Sequence, residues 1–172
     1  MSTAERILII DDSRSLAETV AHILCQSGYQ VFVAFNGPAG LEKAQALKPD
    51  LIILDIMMPG MDGYEVCRRL QDNPETAHAS VLFLSVLGDM GVPADGDGRF
   101  EANLDYRLRA FDVGAVDFLT KPTTMEELLT RVQALLWASA HEERFARSAR
   151  SRRRRRGSER GDDGRSTTHS SR

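Results

Sequence analysis

An α/β fold, with a doubly wound five-stranded parallel sheet and five helices, is what this sequence predicts, and three observations carry the prediction. First, short unbroken apolar runs recur, the clearest being Ile7-Leu8-Ile9-Ile10, Leu51-Ile52-Ile53-Leu54 and Val81-Leu82-Phe83-Leu84. A continuous apolar run bounded by breakers reads as a strand buried on both faces, as in parallel sheets. Second, each run is followed by apolar residues at helical spacing, and strands alternating with helices predict a parallel sheet covered on both sides. Third, polar side chains close the runs: Asp11 and Asp12, Asp55, Ser85 and Lys121. Right-handed crossovers bring the carboxyl ends of all such strands to one edge of the sheet, so these residues are expected to converge in one pocket.

The elements follow in order. After Ile7–Ile10, Ser13 is placed to cap a helix whose apolar positions are Leu16, Val20, Ile23 and Leu24, with Gly28 as its stop. Val31-Phe32-Val33-Ala34 is the second strand. Asn36-Gly37-Pro38 then turns the chain into a helix through Leu41, Ala44 and Leu47, closed by Pro49. Leu51–Leu54 is the third strand, and Asp55 stands where it ends. A loop with Pro59 and Gly60 leads to a helix over 62–72, with Tyr64, Val66, Cys67 and Leu70 on its apolar side.

Val81–Leu84 is the fourth strand. Residues 86–98 hold Gly88, Gly91, Pro93, Gly96 and Gly98, which predicts a loop. Asp95-Gly96-Asp97-Gly98 hints at calcium, but a calcium loop needs a glutamate at its twelfth position, where this chain has Tyr106. A helix resumes through Leu104, Leu108 and Phe111 and ends at Gly114. Val116-Asp117-Phe118-Leu119 is the fifth strand. Thr123 or Thr124 caps a last helix, through Leu128, Val132 and Leu136, which is expected to fade beyond about Ala140.

Composition narrows the function classes. No apolar run approaches the roughly 20 residues that cross a bilayer, so no membrane role is expected. Met1 is followed almost at once by a strand-like run, which leaves no room for a secretory signal, and a cytoplasmic protein is expected. Cys25 and Cys67 fall in helical patterns and read as reduced, mostly buried thiols. The four histidines show no zinc-ligand spacing. Residues 141–172 hold 11 Arg against 5 Asp and Glu, a balance of +6, whereas residues 1–140 hold 11 basic and 20 acidic side chains, a balance of −9. Arg152 to Arg156 are unbroken and no apolar face persists beyond residue 144, so 141–172 reads as a basic, disordered tail. Arginine clusters contact nucleic-acid phosphates without sequence preference, and nothing here favours specific DNA recognition.

Three carboxylates in one cleft repel each other, and a divalent cation such as magnesium relieves that repulsion with oxygen ligands. Lys121 adds a point charge suited to a phosphoryl group, and Ser85 adds a hydroxyl donor. With the incoming oxygens neutralised, a carboxylate can act as nucleophile, so the constellation points to an aspartyl-phosphate site with Asp55 as acceptor. A polar rim holding a plain Lys–Asp pair is the simpler alternative.

The sequence also resembles the receiver domain of two-component response regulators over about residues 4–140. The resemblance rests on Ile9-Ile10-Asp11-Asp12-Ser13, Leu54-Asp55-Ile56-Met57-Met58-Pro59-Gly60-Met61-Asp62-Gly63, Phe83-Leu84-Ser85 and Gly114-Ala115-Val116-Asp117-Phe118-Leu119-Thr120-Lys121-Pro122. It implies a CheY-like, flavodoxin-like sheet in the order 2-1-3-4-5. Asp55 would take a phosphoryl group from a sensor histidine kinase or phosphotransfer protein. Magnesium would be held by Asp11, Asp12, Asp55 and the backbone carbonyl of Met57. Ser85 and Phe118 would form a switch pair, the ring turning inward as the hydroxyl moves to the phosphoryl group and an unidentified downstream protein, or a second copy of the chain, reads the change. The Lys121-Pro122 bond would be cis.

The resemblance makes the chain a phosphoacceptor that catalyses at most its own phosphotransfer and slow dephosphorylation, because the apolar Met57 and Leu87 flank the water path. Hydrolytic phosphatases with an aspartyl-phosphate intermediate place a second acid two residues beyond the nucleophile, and Met57 occupies that position here. Other readings are a phosphorylation-independent binding module and a basic-tailed regulator associated with nucleic acid. Two departures stand out. Val86 is bulkier than the alanine or glycine usual after Ser85, and it narrows access to Asp55 if it leans over the pocket. Between Ser85 and Lys121 lie 35 residues, more than the family normally has, and the surplus is expected as an inserted loop over about 87–103.

Overall fold

The computed structural model describes residues 4–86 and 98–159, with side chains described over 4–86 and 104–142. Five strands, β1 (Arg6–Ile10), β2 (Gln30–Ala34), β3 (Leu51–Leu54), β4 (Ser80–Val86) and β5 (Asp117–Lys121), form one sheet in the order β2-β1-β3-β4-β5. Every neighbouring pair is parallel, with Ile10 beside Leu54, Leu54 beside Phe83 and Val86 beside Lys121. Helices α1 (Arg14–Gln26), α2 (Gly37–Leu47), α3 (Gly63–Asp72), α4 (Gly98–Asp112) and α5 (Met125–Glu159) connect and follow the strands. The expected sheet and its order are the ones observed.

The unbroken apolar runs have a direct explanation. Successive strand side chains point to opposite faces, and both faces are covered. Leu8, Ile10, Ile52, Leu54, Val81, Phe83 and Phe118 pack into one layer with Tyr64, Val66, Cys67 and Leu70 of α3. Ile7, Ile9, Leu51, Ile53, Leu82, Leu84 and Leu119 pack into the other, with Ala17, Val20 and Leu24 of α1 and Leu128, Val132 and Leu136 of α5. Gly114 ends α4 at φ +100°, a left-handed setting that glycine adopts without strain. Ala115 N–H then donates to the Ala110 carbonyl at 3.0 Å, which turns the chain into β5.

Several expectations need correction. Ser13 stands at the α1 N-cap, but its side chain makes no capping hydrogen bond; its N–H instead donates to Asp11 Oδ1 at 2.8 Å. Of the two caps expected for α5, Thr124 is the one observed, accepting from Glu127 N–H at 3.1 Å. Cys25 is exposed, whereas Cys67 is buried as expected, and burial pushes its thiol up to about 12. Of the loop expected over 87–103, residues 98–103 are helical and open α4; beyond Gly98 that stretch contains no further glycine or proline. Residues 87–97, with Leu87 and the Asp95-Gly96-Asp97 sequence, lie outside the described residues.

Helix α5 does not fade near Ala140 but continues to Glu159. Adding a residue to an existing helix is far easier than starting one, and arginine and alanine are good helix formers. The expected tail is therefore helical up to residue 159, and residues 160–172 lie outside the described set. The chain divides into two compact units, Met1–Leu136 and Trp137–Arg172. No helix among the described residues is long and apolar enough to cross a membrane.

Candidate functional site

The parallel sheet delivers Asp11, Asp55, Ser85 and Lys121 to one edge, as the strand ends predict. Asp11 follows β1, and its N–H donates to the Ala34 carbonyl at 3.1 Å. Asp55 follows β3 and donates through its N–H to the Ile10 carbonyl at 2.9 Å. Backbone bonding thus holds both carboxylates at the tip of the central strands, while their side chains are left for the pocket. Ser85 lies inside β4 rather than after it, and Lys121 is the last residue of β5. The Lys121-Pro122 bond is cis.

Asp11 and Asp55 are buried, and Asp12 is exposed at the rim. One carboxylate oxygen from each of the three lies within 4.8 Å of the others. Lys121 Nζ donates to Asp11 Oδ2 at 2.7 Å and stands 3.6 Å from Asp55 Oδ1. Burial raises the Asp55 pKa above the usual carboxylate value; the Lys121 charge opposes the rise, and the Asp11 and Asp12 charges add to it.

The Ser85 hydroxyl is close enough to favour the ionised Asp55, yet its oxygen is buried and closes no hydrogen bond of ordinary geometry. A buried hydroxyl without a partner is costly. It marks a place where a ligand oxygen would be welcome. Three carboxylates with only oxygen donors suit a hard divalent ion such as magnesium, so the donor set fits the cation expected there.

Two elements missed in the sequence support this edge. Asp62 caps α3 by accepting from Glu65 N–H at 2.8 Å, which sets the start of the helix after the Asp55 loop. Gly63 is required there by space: an added Cβ would lie 2.3 Å from the Asp55 carbonyl oxygen and 2.8 Å from Ile56 Cα. Gly63→Ala is therefore expected to cost about 2 kcal/mol by forcing the Asp55 loop outward. Urea unfolding checks this, and an unchanged midpoint would show that the loop yields freely.

Phe118 is 3% exposed, with its ring 6.2 Å from that of Phe83. Its ring thus packs in the core layer that includes Tyr64, Val66, Cys67 and Leu70 of α3. Phe83 in turn lies 5.5 Å from the Tyr64 ring, and Arg107 and Arg109 stand over the Phe118 and Tyr64 rings. Sequence spacing could not reveal this stack, because its members come from four different elements. Val86 is 53% exposed and lines an apolar groove of about 380 Å³ with Leu84, Pro122 and Met125.

Comparison with known proteins agrees with this geometry. Residues 7–95 match the family model for the response regulator receiver domain. The chain is 42% identical over 131 residues to the DNA-binding dual master transcriptional regulator RpaA of Synechocystis sp., covering 76% of this chain and 48% of that protein. It spans about half the length, or less, of the curated relatives it matches first. Among solved structures, the receiver domain of a signal transduction histidine kinase from Syntrophus aciditrophicus is 36% identical with a TM-score of 0.65, covering 78% of this chain and 92% of that one. Chemotaxis protein CheY4 of Vibrio cholerae is 28% identical with a TM-score of 0.65, covering 77% and 99%. With four carboxyl-edge segments in place and the family model spanning more than half of its length, the chain belongs to the response regulator receiver family.

Proposed function

We propose that the chain is a phosphoacceptor in a two-component phosphorelay, with Asp55 taking a phosphoryl group from a partner histidine kinase or phosphotransfer protein. The observation that carries this reading is Lys121 Nζ lying within 3.6 Å of Asp55 beside two further carboxylates. An Asp55 oxygen attacks phosphorus, the phosphorus–nitrogen bond of the donor phosphohistidine breaks, and the imidazole leaves. The rise in Asp55 basicity that burial causes makes the carboxylate a better nucleophile while it stays ionised.

Lys121 would shift from Asp11 toward an incoming phosphoryl oxygen, and Ser85 would give its hydroxyl to another, gaining the partner it lacks. Magnesium held by Asp11, Asp12, Asp55 and the Met57 carbonyl would supply countercharge to the same oxygens. Ser85 and Phe118 would then relay the change to a protein-binding face. In this reading residues 4–140, with the insertion over about 87–103, are the receiver and 141–172 a basic extension, and the protein works in the cytoplasm. DNA binding is a property named for the RpaA relative, whose remaining length this chain does not match.

Phosphate incorporation from a small-molecule phosphodonor tests the reading. The parent protein is expected to label only with magnesium, and Asp55→Asn not at all. The substitution also removes a buried charge, so Asp55→Asn is expected to unfold about 1 kcal/mol harder, which separates lost chemistry from lost fold. Equal labelling of Asp55→Asn would place the acceptor elsewhere. No labelling of either protein would assign the chain to phosphorylation-independent binding, with Val86 as the first residue to replace.

A further inference from the structure

The second compact unit begins at Trp137, and its described features are unlike those of the sheet domain. Trp137 is 65% exposed, the most exposed of the large apolar residues among those described. Its ring is stacked with His141, with centroids 3.8 Å apart and planes at 30°. His141 Nδ1 lies 2.8 Å from the Trp137 carbonyl, a contact that holds the imidazole against the indole. An exposed indole backed by a second ring is a flat, rigid platform. Further along the same helix, residues 144–156 hold eight arginines and no acidic residue.

Arginine keeps its charge at any physiological pH and pairs bidentately with phosphate. Like charges three and four residues apart on a helix repel, so this stretch of α5 is at a disadvantage until a polyanion neutralises it. An anionic membrane would satisfy the charge, but surface-bound helices need a broad apolar face. Between residues 144 and 156 only Phe145 is a large apolar residue. Duplex DNA would also satisfy the charge, but its base faces are stacked away and leave an exposed indole nothing to meet. A single strand offers both phosphates and free base faces, and stacking on aromatic side chains is how such strands are held without sequence preference.

We propose that residues 137–156 bind single-stranded nucleic acid, Trp137 backed by His141 stacking on an unpaired base and the arginines beyond it neutralising the backbone phosphates. The site is independent of Asp55 chemistry, and it gives the basic segment a defined ligand class.

Trp137 is the only tryptophan of the chain, so its fluorescence reports the stacking directly. The full chain would be titrated with thymidine and uridine homopolymers, a mixed-sequence duplex, heparin and phosphatidylserine vesicles. Both single strands are expected to quench Trp137, and the tighter one identifies DNA or RNA as the preferred form. Duplex and heparin should bind by charge with little quenching. Trp137→Ala should weaken single-strand binding about tenfold, read by anisotropy of labelled oligomers, and leave heparin binding unchanged. Changing Arg152 to Arg156 to glutamine should flatten the dependence of log K on log salt by about 3. Equal affinity for heparin and single strands without quenching would overturn the site, as would preference for vesicles or duplex, or a Trp137→Ala protein that binds single strands as well as the parent.

Discussion

Phe83→Ala is expected to cost about 4 kcal/mol of folding stability. Phe83 is fully buried in β4, between Leu54 of β3 and Phe118 of β5, and its ring meets those of Tyr64 and Phe118. Truncation loses the transfer energy of the ring and leaves a cavity that a sheet hydrogen-bonded on both sides cannot collapse to fill. Each aromatic pair adds roughly 1 kcal/mol beyond its buried area. For a unit of this size the melting midpoint should drop by roughly 10–15 °C. Phe111→Ala is the matched control. Phe111 is 49% exposed on α4, and its truncation should change stability by no more than about 0.5 kcal/mol. Similar losses for the two would mean that the layer between α3 and the sheet is looser than its burial implies. The cavity borders Phe118, so the same variant also removes the surface on which that ring rests.

The reach of the sequence, and its limit, can be seen at particular residues. Asp11, Asp55 and Lys121 were legible because an apolar run buried on both faces leaves its polar neighbours only the sheet's edge to occupy, and right-handed connections give all strands the same edge. The ends of elements were less legible. The apolar run of β4 stops at Leu84, yet pairing with β5 continues through Ser85 to Val86 beside Lys121. Ladder hydrogen bonds, not side-chain polarity, decide where that strand ends. Helix α5 outlasts its apolar stripe for a related reason, since backbone bonding propagates through Arg and Ala without a core to face. Cys25 and Cys67 sit in similar helical patterns, but only the Cys67 side lies under the sheet, where its thiol reaches the Val113 carbonyl at 3.4 Å. The Tyr64–Phe83–Phe118 stack and the tight space at Gly63 depend on how α3 lies against β3 and β4, which no local pattern encodes.

Lys121→Ala should destabilise the protein by about 3 kcal/mol at neutral pH, and that loss should shrink in acid. The side chain is 14% exposed and is the cation that faces Asp11 at 2.7 Å and Asp55 at 3.6 Å. Without it, two buried carboxylates and Asp12 keep only their mutual repulsion, and truncating one partner of a buried pair costs more than forming the pair gains. The pH dependence follows from Asp55. Its folded-state pKa is already raised, so between the unfolded value near 3.8 and the folded value the native state binds the extra proton, and stability falls as pH rises through that window. Lys121 is the principal influence opposing the rise, and its removal extends the window upward. Below the unfolded value Asp55 is protonated in both states, and this part of the loss vanishes. Urea unfolding at pH 7 and pH 4 measures the difference, and magnesium should restore more stability to the variant than to the parent by replacing the missing countercharge. An equal loss at both pH values, untouched by magnesium, would mean that Lys121 acts through the packing of its aliphatic stem and not through its charge.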